Sequence, residues 1–154
     1  MRRWPNNAAR GQGVLEAALI APILMFILLV VVEAGRMMYL SVALEHAADA
    51  AAEYGATTTT DADVSGMQSA ATSDVQASGL FAKLYPANAF AATASNFCQC
   101  ADGAATSCAN NTCSSGAFAV FVQVKTSATY STLVNYPGLP SAFTMNAQAT
   151  LRVQ

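Results

Sequence analysis

Residues 10–36 read RGQGVLEAALIAPILMFILLVVVEAGR, and this stretch decides how the chain is organised. The run from Val14 to Val32 is 19 residues long and contains one charged residue, Glu16. A helix of that length spans about 28 Å, which is enough to cross the hydrocarbon core of a membrane. We therefore predict one transmembrane helix over residues 12–36. An ionisable side chain at the edge of hydrocarbon costs free energy, so the Glu16 carboxylate needs a functional explanation.

The charges that flank this helix indicate its orientation. Arg2, Arg3 and Arg10 precede the apolar run, and Arg36 follows it directly. Because basic residues favour the cytoplasmic side, we expect the N-terminus in the cytoplasm and everything beyond residue 36 outside it. Glu33 and Arg36 are three residues apart, which places them on one helix face, and we predict that they pair at the extracytoplasmic membrane boundary.

A cleaved secretory signal is the main alternative for this segment. Val32-Glu33-Ala34 has small residues at the positions that signal peptidase requires for a cut before Gly35. The apolar run is longer than a usual signal core, however, and Glu16 interrupts its start. The helical pattern also continues past the supposed cut, so we favour a helix that stays in the mature protein.

Beyond the membrane the helix is predicted to continue to about Tyr54. Apolar residues recur there at steps of three and four, as on the packed face of an amphipathic helix. They are Leu40, Leu44, Ala47, Ala51 and Tyr54. Acidic residues at steps of four form a second, solvated face, and they are Glu45, Asp49 and Glu53. Gly55 predicts the end of the helix, so residues 37–55 form an extracytoplasmic extension and residues 56–154 an outer domain.

Composition and charge argue against several functions. The chain has 154 residues, of which 54% are hydrophobic and 10% charged, against about 25% charged in soluble domains. Residues 12–154 contain four basic and nine acidic residues, a net charge of −5, which does not favour nucleic acid as a partner. The single histidine, His46, lies beside Glu45, a pattern typical of solvated side chains. We predict no enzymatic activity, no metal site and no cofactor.

The outer domain is predicted to combine a short helix with a small antiparallel sheet. A helix beginning at Asp61 or Asp63 and ending at Gly79 has apolar residues on one face. Alternation predicts strands over 117–126, 127–134 and 143–153, with a turn at residues 136–140. On the first strand, the alternation places Phe118, Val120, Val122 and Val124 on one face and Phe121 on the other. The sheet is expected to pack on the extracytoplasmic helix, which gives an α+β fold.

Four cysteines cluster at residues 98–113: Cys98, Cys100, Cys108 and Cys113. An even number in a small extracytoplasmic segment predicts two disulfides. A bridge between Cys98 and Cys100 would close a very tight ring, so two pairings with Cys108 and Cys113 remain open. A zinc site is the alternative, but the single residue between Cys98 and Cys100 is shorter than the usual zinc-binding spacer.

The N-terminal region resembles the TadE-like minor pilins, or pseudopilins, of the tight-adherence (Flp) pilus system. The resemblance lies in residues 10–16 (RGQGVLE), 18–22 (ALIAP) and 32–36 (VEAGR), and continues through the alanine-rich helix to residue 55. The final strand, which ends in ATLRV at 149–153, is also similar to that family. A basic leader, a glycine and a glutamate five positions later look like a type IV prepilin signal.

The resemblance implies a type IV pilin-like fold and a set of partners. Residues 1–11 would be a leader that a prepilin peptidase removes by cutting between Gly11 and Gln12, and Glu16 would act in assembly. The protein would sit in the cytoplasmic (inner) membrane, in contact with lipid, other pilins or pseudopilins and pilus assembly proteins, with the pilus itself as a further location.

Two other functions remain open at this point. The first is a signal-anchored binding module, unrelated to pili, that uses its cysteine-rich loop to hold a ligand. The second is a small secreted disulfide-rich domain. A plain anchor requires neither Gly11 nor Glu16, so these two residues favour the pilin interpretation.

Overall fold

The computed structural model describes residues 8–57, 63–109, 113–114, 116–134, 138 and 140–153. The chain divides into two compact units, of which the first ends at Arg36 and the second begins at Met37. Most of the predicted leader, residues 1–7, lies outside the described residues.

The first helix, α1, extends over Ala8–Thr57 and belongs to both units. It is longer than the predicted helix, which was expected to end at Gly55. The Thr57 hydroxyl donates to the backbone carbonyls of Glu53, at 3.2 Å, and Tyr54, at 3.0 Å, and so closes a further turn. Gly55 instead serves packing, because a Cβ at this position would collide with the thioether of Met67.

Two short helices follow α1 in the second unit. Helix α2 extends over Val64–Ala77 and α3 over Gly79–Leu84, and a 3-10 turn follows at Ala87–Ala89. Helix α2 confirms the prediction of a second helix. The other candidate for its start, Asp61, lies outside the described residues, and α3 was not predicted.

Asp63 caps α2. Its carboxylate accepts from the Ser65 hydroxyl at 2.7 Å and from the Gly66 amide at 2.9 Å. These donors stabilise the ionised form, so they lower the pKa of Asp63 below its ordinary value of 3.8.

The strands form one antiparallel sheet in the order β2-β1-β3-β4. Their bounds are Phe90–Cys100 for β1, Ala105–Thr106 for β2, Phe118–Ser131 for β3 and Ala142–Arg152 for β4. Strand β4 was predicted to within one residue at each end. The predicted break near residue 126 is wrong, because β3 runs through it. Strands β1 and β2 were not predicted. Of the predicted turn at 136–140, the structure describes only Gly138, which has φ +88°, and Pro140.

The core of the second unit lies between one face of the sheet and the part of α1 that follows Arg36. Val122, Val124 and Tyr130 of β3 are buried on this face. They pack in one cluster with four of the five predicted helix residues, Leu40, Leu44, Ala47 and Ala51. The predicted α+β fold is therefore confirmed.

A buried hydrogen bond also joins the helix to the sheet. The Thr126 hydroxyl on β3 donates to the Leu44 carbonyl at 2.9 Å, and Thr126 is 1% exposed.

Two residues that were predicted to lie on buried faces lie at the edge of the core instead. Tyr54 is 39% exposed, and its hydroxyl donates to the Asp63 carboxylate at 3.5 Å beside the start of α2. Phe118 is 36% exposed at the beginning of β3, beyond the fully buried part of that strand, which begins at Val122.

Candidate functional site

The first unit presents an apolar helical surface. From Gly13 to Leu28 every residue of α1 is exposed, including Leu19 at 68% and Met25 at 71%. One helix of the described residues is long and apolar enough to cross a membrane, and none of its most apolar window is buried within the chain. An exposed apolar surface of this length is typical of contact with lipid or with other apolar helices.

Glu16 lies on this apolar surface near its N-terminal end, and its side chain is exposed. Gln12 and Gly11 lie in the same helix, α1, four and five positions before Glu16, respectively. Pro22 also lies inside the helix, which continues on both sides of it. The residues of the predicted cleavage and assembly signal therefore follow one another on a single helix.

Glu33 and Arg36 form an ion pair at the end of the first unit. The Arg36 guanidinium donates to Glu33 Oε2 at 3.3 Å. The side chain of Glu33 is only 10% exposed and that of Arg36 only 13%. Burial weakens the competition from water, so the loss of either partner would leave a buried charge. The structure thus brings together the two residues that were predicted as a boundary pair.

The four cysteines form two disulfides. Cys98 is bonded to Cys108 and Cys100 to Cys113, with Cα atoms 5.2 and 5.6 Å apart. This is one of the two pairings that the sequence left open. All four sulfurs are in disulfides, so in this structure none is a thiolate ligand for zinc.

The disulfides tie a loop to the end of β1. The side chain of Cys98 is buried on the inner side of the sheet, and β2 pairs with β1 beside it, opposite Cys98 and Gln99. Hydrogen bonds tighten the turn between the two strands, since the Gln99 side chain donates to the Gly103 carbonyl at 2.8 Å. The loop is therefore held to the sheet by covalent bonds and by backbone pairing.

The acidic face of α1 and His46 are exposed. Within the ranges that the structure describes, no three His, Cys, Asp or Glu side chains are grouped closely enough to hold a metal ion. Glu45, Asp49 and Glu53 instead form a line of separate charges along the helix.

The outer face of the sheet carries a cluster of side chains that the sequence did not predict. Phe97 of β1 stacks on Phe121 of β3, with ring centroids 5.3 Å apart, and Arg152 of β4 is the next residue across. The alternation on β3 had placed Phe121 away from the core. Its neighbours were not foreseen because β1 was not predicted as a strand.

Together these features define a class of protein: an apolar helix suited to a membrane anchor, followed by an α+β domain with two disulfides. Residues 11–53 match the family model described as TadE-like protein. The resemblance found in the sequence is therefore confirmed for this segment, which begins at Gly11 and ends at Glu53. No curated protein and no solved structure matches the chain.

Proposed function

We propose that this protein is a minor pilin or pseudopilin that helps to assemble or anchor a Flp-type pilus and its secretion machinery. The TadE-like match over residues 11–53 carries the proposal, because it associates the chain with the tight-adherence pilus. The proposed role is structural rather than catalytic. Its partners are a prepilin peptidase, other pilins or pseudopilins, inner-membrane assembly proteins and membrane lipid.

The first step of this role is processing. A prepilin peptidase cuts between Gly11 and Gln12, and the matched segment begins at this glycine. The cut removes Arg2, Arg3 and Arg10 and creates a new positive charge, the amine of Gln12. The three arginines favour a cytoplasmic N-terminus before cleavage, so the second unit lies outside the cytoplasm.

Glu16 acts in the second step, the docking of anchor helices. Its carboxylate is exposed on an apolar helix surface, where ionisation is costly unless a positive group lies close. The Gln12 amine of the same or a neighbouring subunit supplies that group when helices bundle. The Glu33–Arg36 pair marks the opposite end of the anchor, where the apolar run stops.

Intact mass of the mature protein tests the processing step. We expect the loss of residues 1–11 in cells that contain the peptidase, and full length for the Gly11→Ala variant. Gly13→Ala is the matched control, because nothing lies within 4 Å of a Cβ at residue 13, and it should be cut normally. An unshortened wild-type chain would favour the anchored binding module, and loss of residues 1–34 would favour the secreted domain.

Pilus counts by electron microscopy test the assembly step. Glu16→Gln keeps the size of the side chain and removes the charge, so we expect a mature chain of normal mass in cells with few or no pili. Asp74→Asn removes a carboxylate outside the anchor and should leave pili unchanged. Normal piliation in the Glu16→Gln strain would refute the proposed role of the carboxylate.

A further inference from the structure

Two exposed surfaces of the second unit carry opposite charge. The acidic stripe consists of Glu45, Asp49 and Glu53, which are exposed on α1. The basic sheet face is the outer face of β1, β3 and β4, and its two charged residues are Lys125 and Arg152. Both of these are exposed, and no residue in these three strands is acidic.

Strand register places Lys125 and Arg152 on one face. Arg152 lies opposite Phe121, and Lys125 lies four residues further along the same strand. Residues at even spacing on a strand, and their direct cross-strand partners, point to the same side of a sheet. Gln123 and Thr150 are paired between the two cations and add hydrogen-bond donors to that face.

The charges on both surfaces are available for a partner. None of the acidic stripe, Lys125 or Arg152 takes part in an ion pair within the part of the chain that the structure describes. Phe97, which stacks on Phe121 beside Arg152, is 37% exposed and adds apolar area to the basic sheet face.

The spacing of the two sets of charges agrees. Glu45 and Glu53 are eight positions apart, which corresponds to about 12 Å along α1. Four residues along β3 and one strand across separate Lys125 from Arg152, which corresponds to about 14 Å. The distance between the two ends of the stripe is therefore similar to the distance between Lys125 and Arg152. With the ends of the stripe at the two cations, Asp49 would lie opposite Gln123 and Thr150.

We propose that the acidic stripe of one copy of this chain docks on the basic sheet face of a second copy. The stripe is exposed on α1, and the basic face is the side of the sheet opposite to the buried side chains of β3, so each copy presents one surface of each kind. A contact between unlike surfaces is head to tail and can repeat from copy to copy. The inference deepens the proposed function, and rests on it, because it supplies a subunit contact for a pilus protein.

Zero-length cross-linking tests this contact directly. The full chain, purified in detergent from a mixture of ¹⁴N- and ¹⁵N-labelled cells, is treated with a carbodiimide, which joins lysine amines to carboxylates. We expect mixed-isotope peptides that join Lys125 to Glu45, Asp49 or Glu53. They should disappear in Lys125→Gln and persist in Lys83→Gln, which removes an exposed lysine outside the sheet. If every Lys125 cross-link joins two peptides with the same isotope label, the linked residues belong to one copy and the proposal is wrong.

Charge reversal gives a second, quantitative test by sedimentation in the same detergent. Lys125→Glu with Arg152→Glu should raise the dissociation constant about tenfold, since two attractive contacts become repulsive. Adding Glu45→Lys and Glu53→Lys to the same chain should restore association. Association that charge reversal does not change would show that another surface holds the copies together and would refute the contact, as would a monomer at every concentration.

Failure of this contact and failure of the proposed function give different results. Processing at Gly11 and the need for Glu16 are read in cells from mature mass and pilus number. The cross-links and dissociation constants are read on purified protein and require neither processing nor pili.

Discussion

Replacing Thr126 by valine should measure how much one buried hydrogen bond stabilises the packing of α1 on the sheet. Valine keeps the shape of the side chain but removes the hydroxyl that donates to the Leu44 carbonyl at 2.9 Å. A typical hydrogen bond contributes about 0.5–1.5 kcal/mol to stability. The Leu44 carbonyl keeps its helical partner, the amide four residues on, so it is not left without a donor. We therefore expect a loss of about 1 kcal/mol.

Thermal unfolding of the full chain in detergent, with the disulfides intact and circular dichroism as the signal, measures this loss. For a domain of roughly one hundred residues, 1 kcal/mol lowers Tm by about 4 °C. Thr129→Val is the matched control, because Thr129 is exposed on the same strand and valine is as good a strand former there. If Thr126→Val unfolds at the wild-type temperature, or if both variants lose the same amount, the bond does not stabilise the contact.

Three further perturbations test other parts of the second unit. Gly55→Ala should lower stability by about 1–2 kcal/mol through the clash at the α1–α2 contact, whereas Gly79→Ala, where a Cβ meets nothing within 4 Å, should not; equal Tm values for both would contradict the packing. Replacing Cys100 and Cys113 together by serine opens the bridge of sequence separation 13 and should cost about 3 kcal/mol in denaturant unfolding, so an unchanged midpoint would show that the bond constrains little. The lowered pKa of Asp63 means that its cap stabilises α2 fully above the ordinary value of 3.8 and is lost as pH falls through the lowered pKa. The protection of α2 amides, measured against their intrinsic exchange rate at each pH, should therefore fall in acid for wild type and much less for Asp63→Asn, and identical acid profiles would rule the cap out.

The sequence predicts those elements whose side chains follow a clear period. Helix α2 and strand β4 combine apolar periodicity with end signals, and their outlines were correct. The helical period of α1 was also correct, but the end predicted at Gly55 was wrong. Strand β1 lacks such a pattern, because Phe90–Cys100 consists mainly of alanine, threonine, serine and asparagine. It forms a strand because all eleven of its residues pair with β3, and a single segment carries no information about that partner.

Among the candidate sites, local spacing was again predictable from the sequence, whereas contacts between distant segments were not. Glu33 and Arg36 were found because their spacing in one helix is local information. The disulfide pairing was left open, since it depends on where β1 and the following loop meet in space. The basic sheet face was missed for a related reason: Lys125 and Arg152 are 27 positions apart in the sequence, and only the register of β3 against β4 places them on one side.

The proposed contact between copies involves one surface inside the family match and one outside it. The matched segment ends at Glu53, so it contains the acidic stripe, whereas Lys125 and Arg152 lie outside it. The proposed contact would thus join the matched segment of one copy to the sheet of another copy, which lies outside the match. A chimera of residues 1–57 followed by an unrelated neutral domain should still enter the membrane and present the stripe. It should cross-link through that stripe to Lys125 of the wild-type chain but not to a second chimera. Carbodiimide products between two chimeras as abundant as those with the wild-type chain would show that the sheet face is not the partner of the stripe.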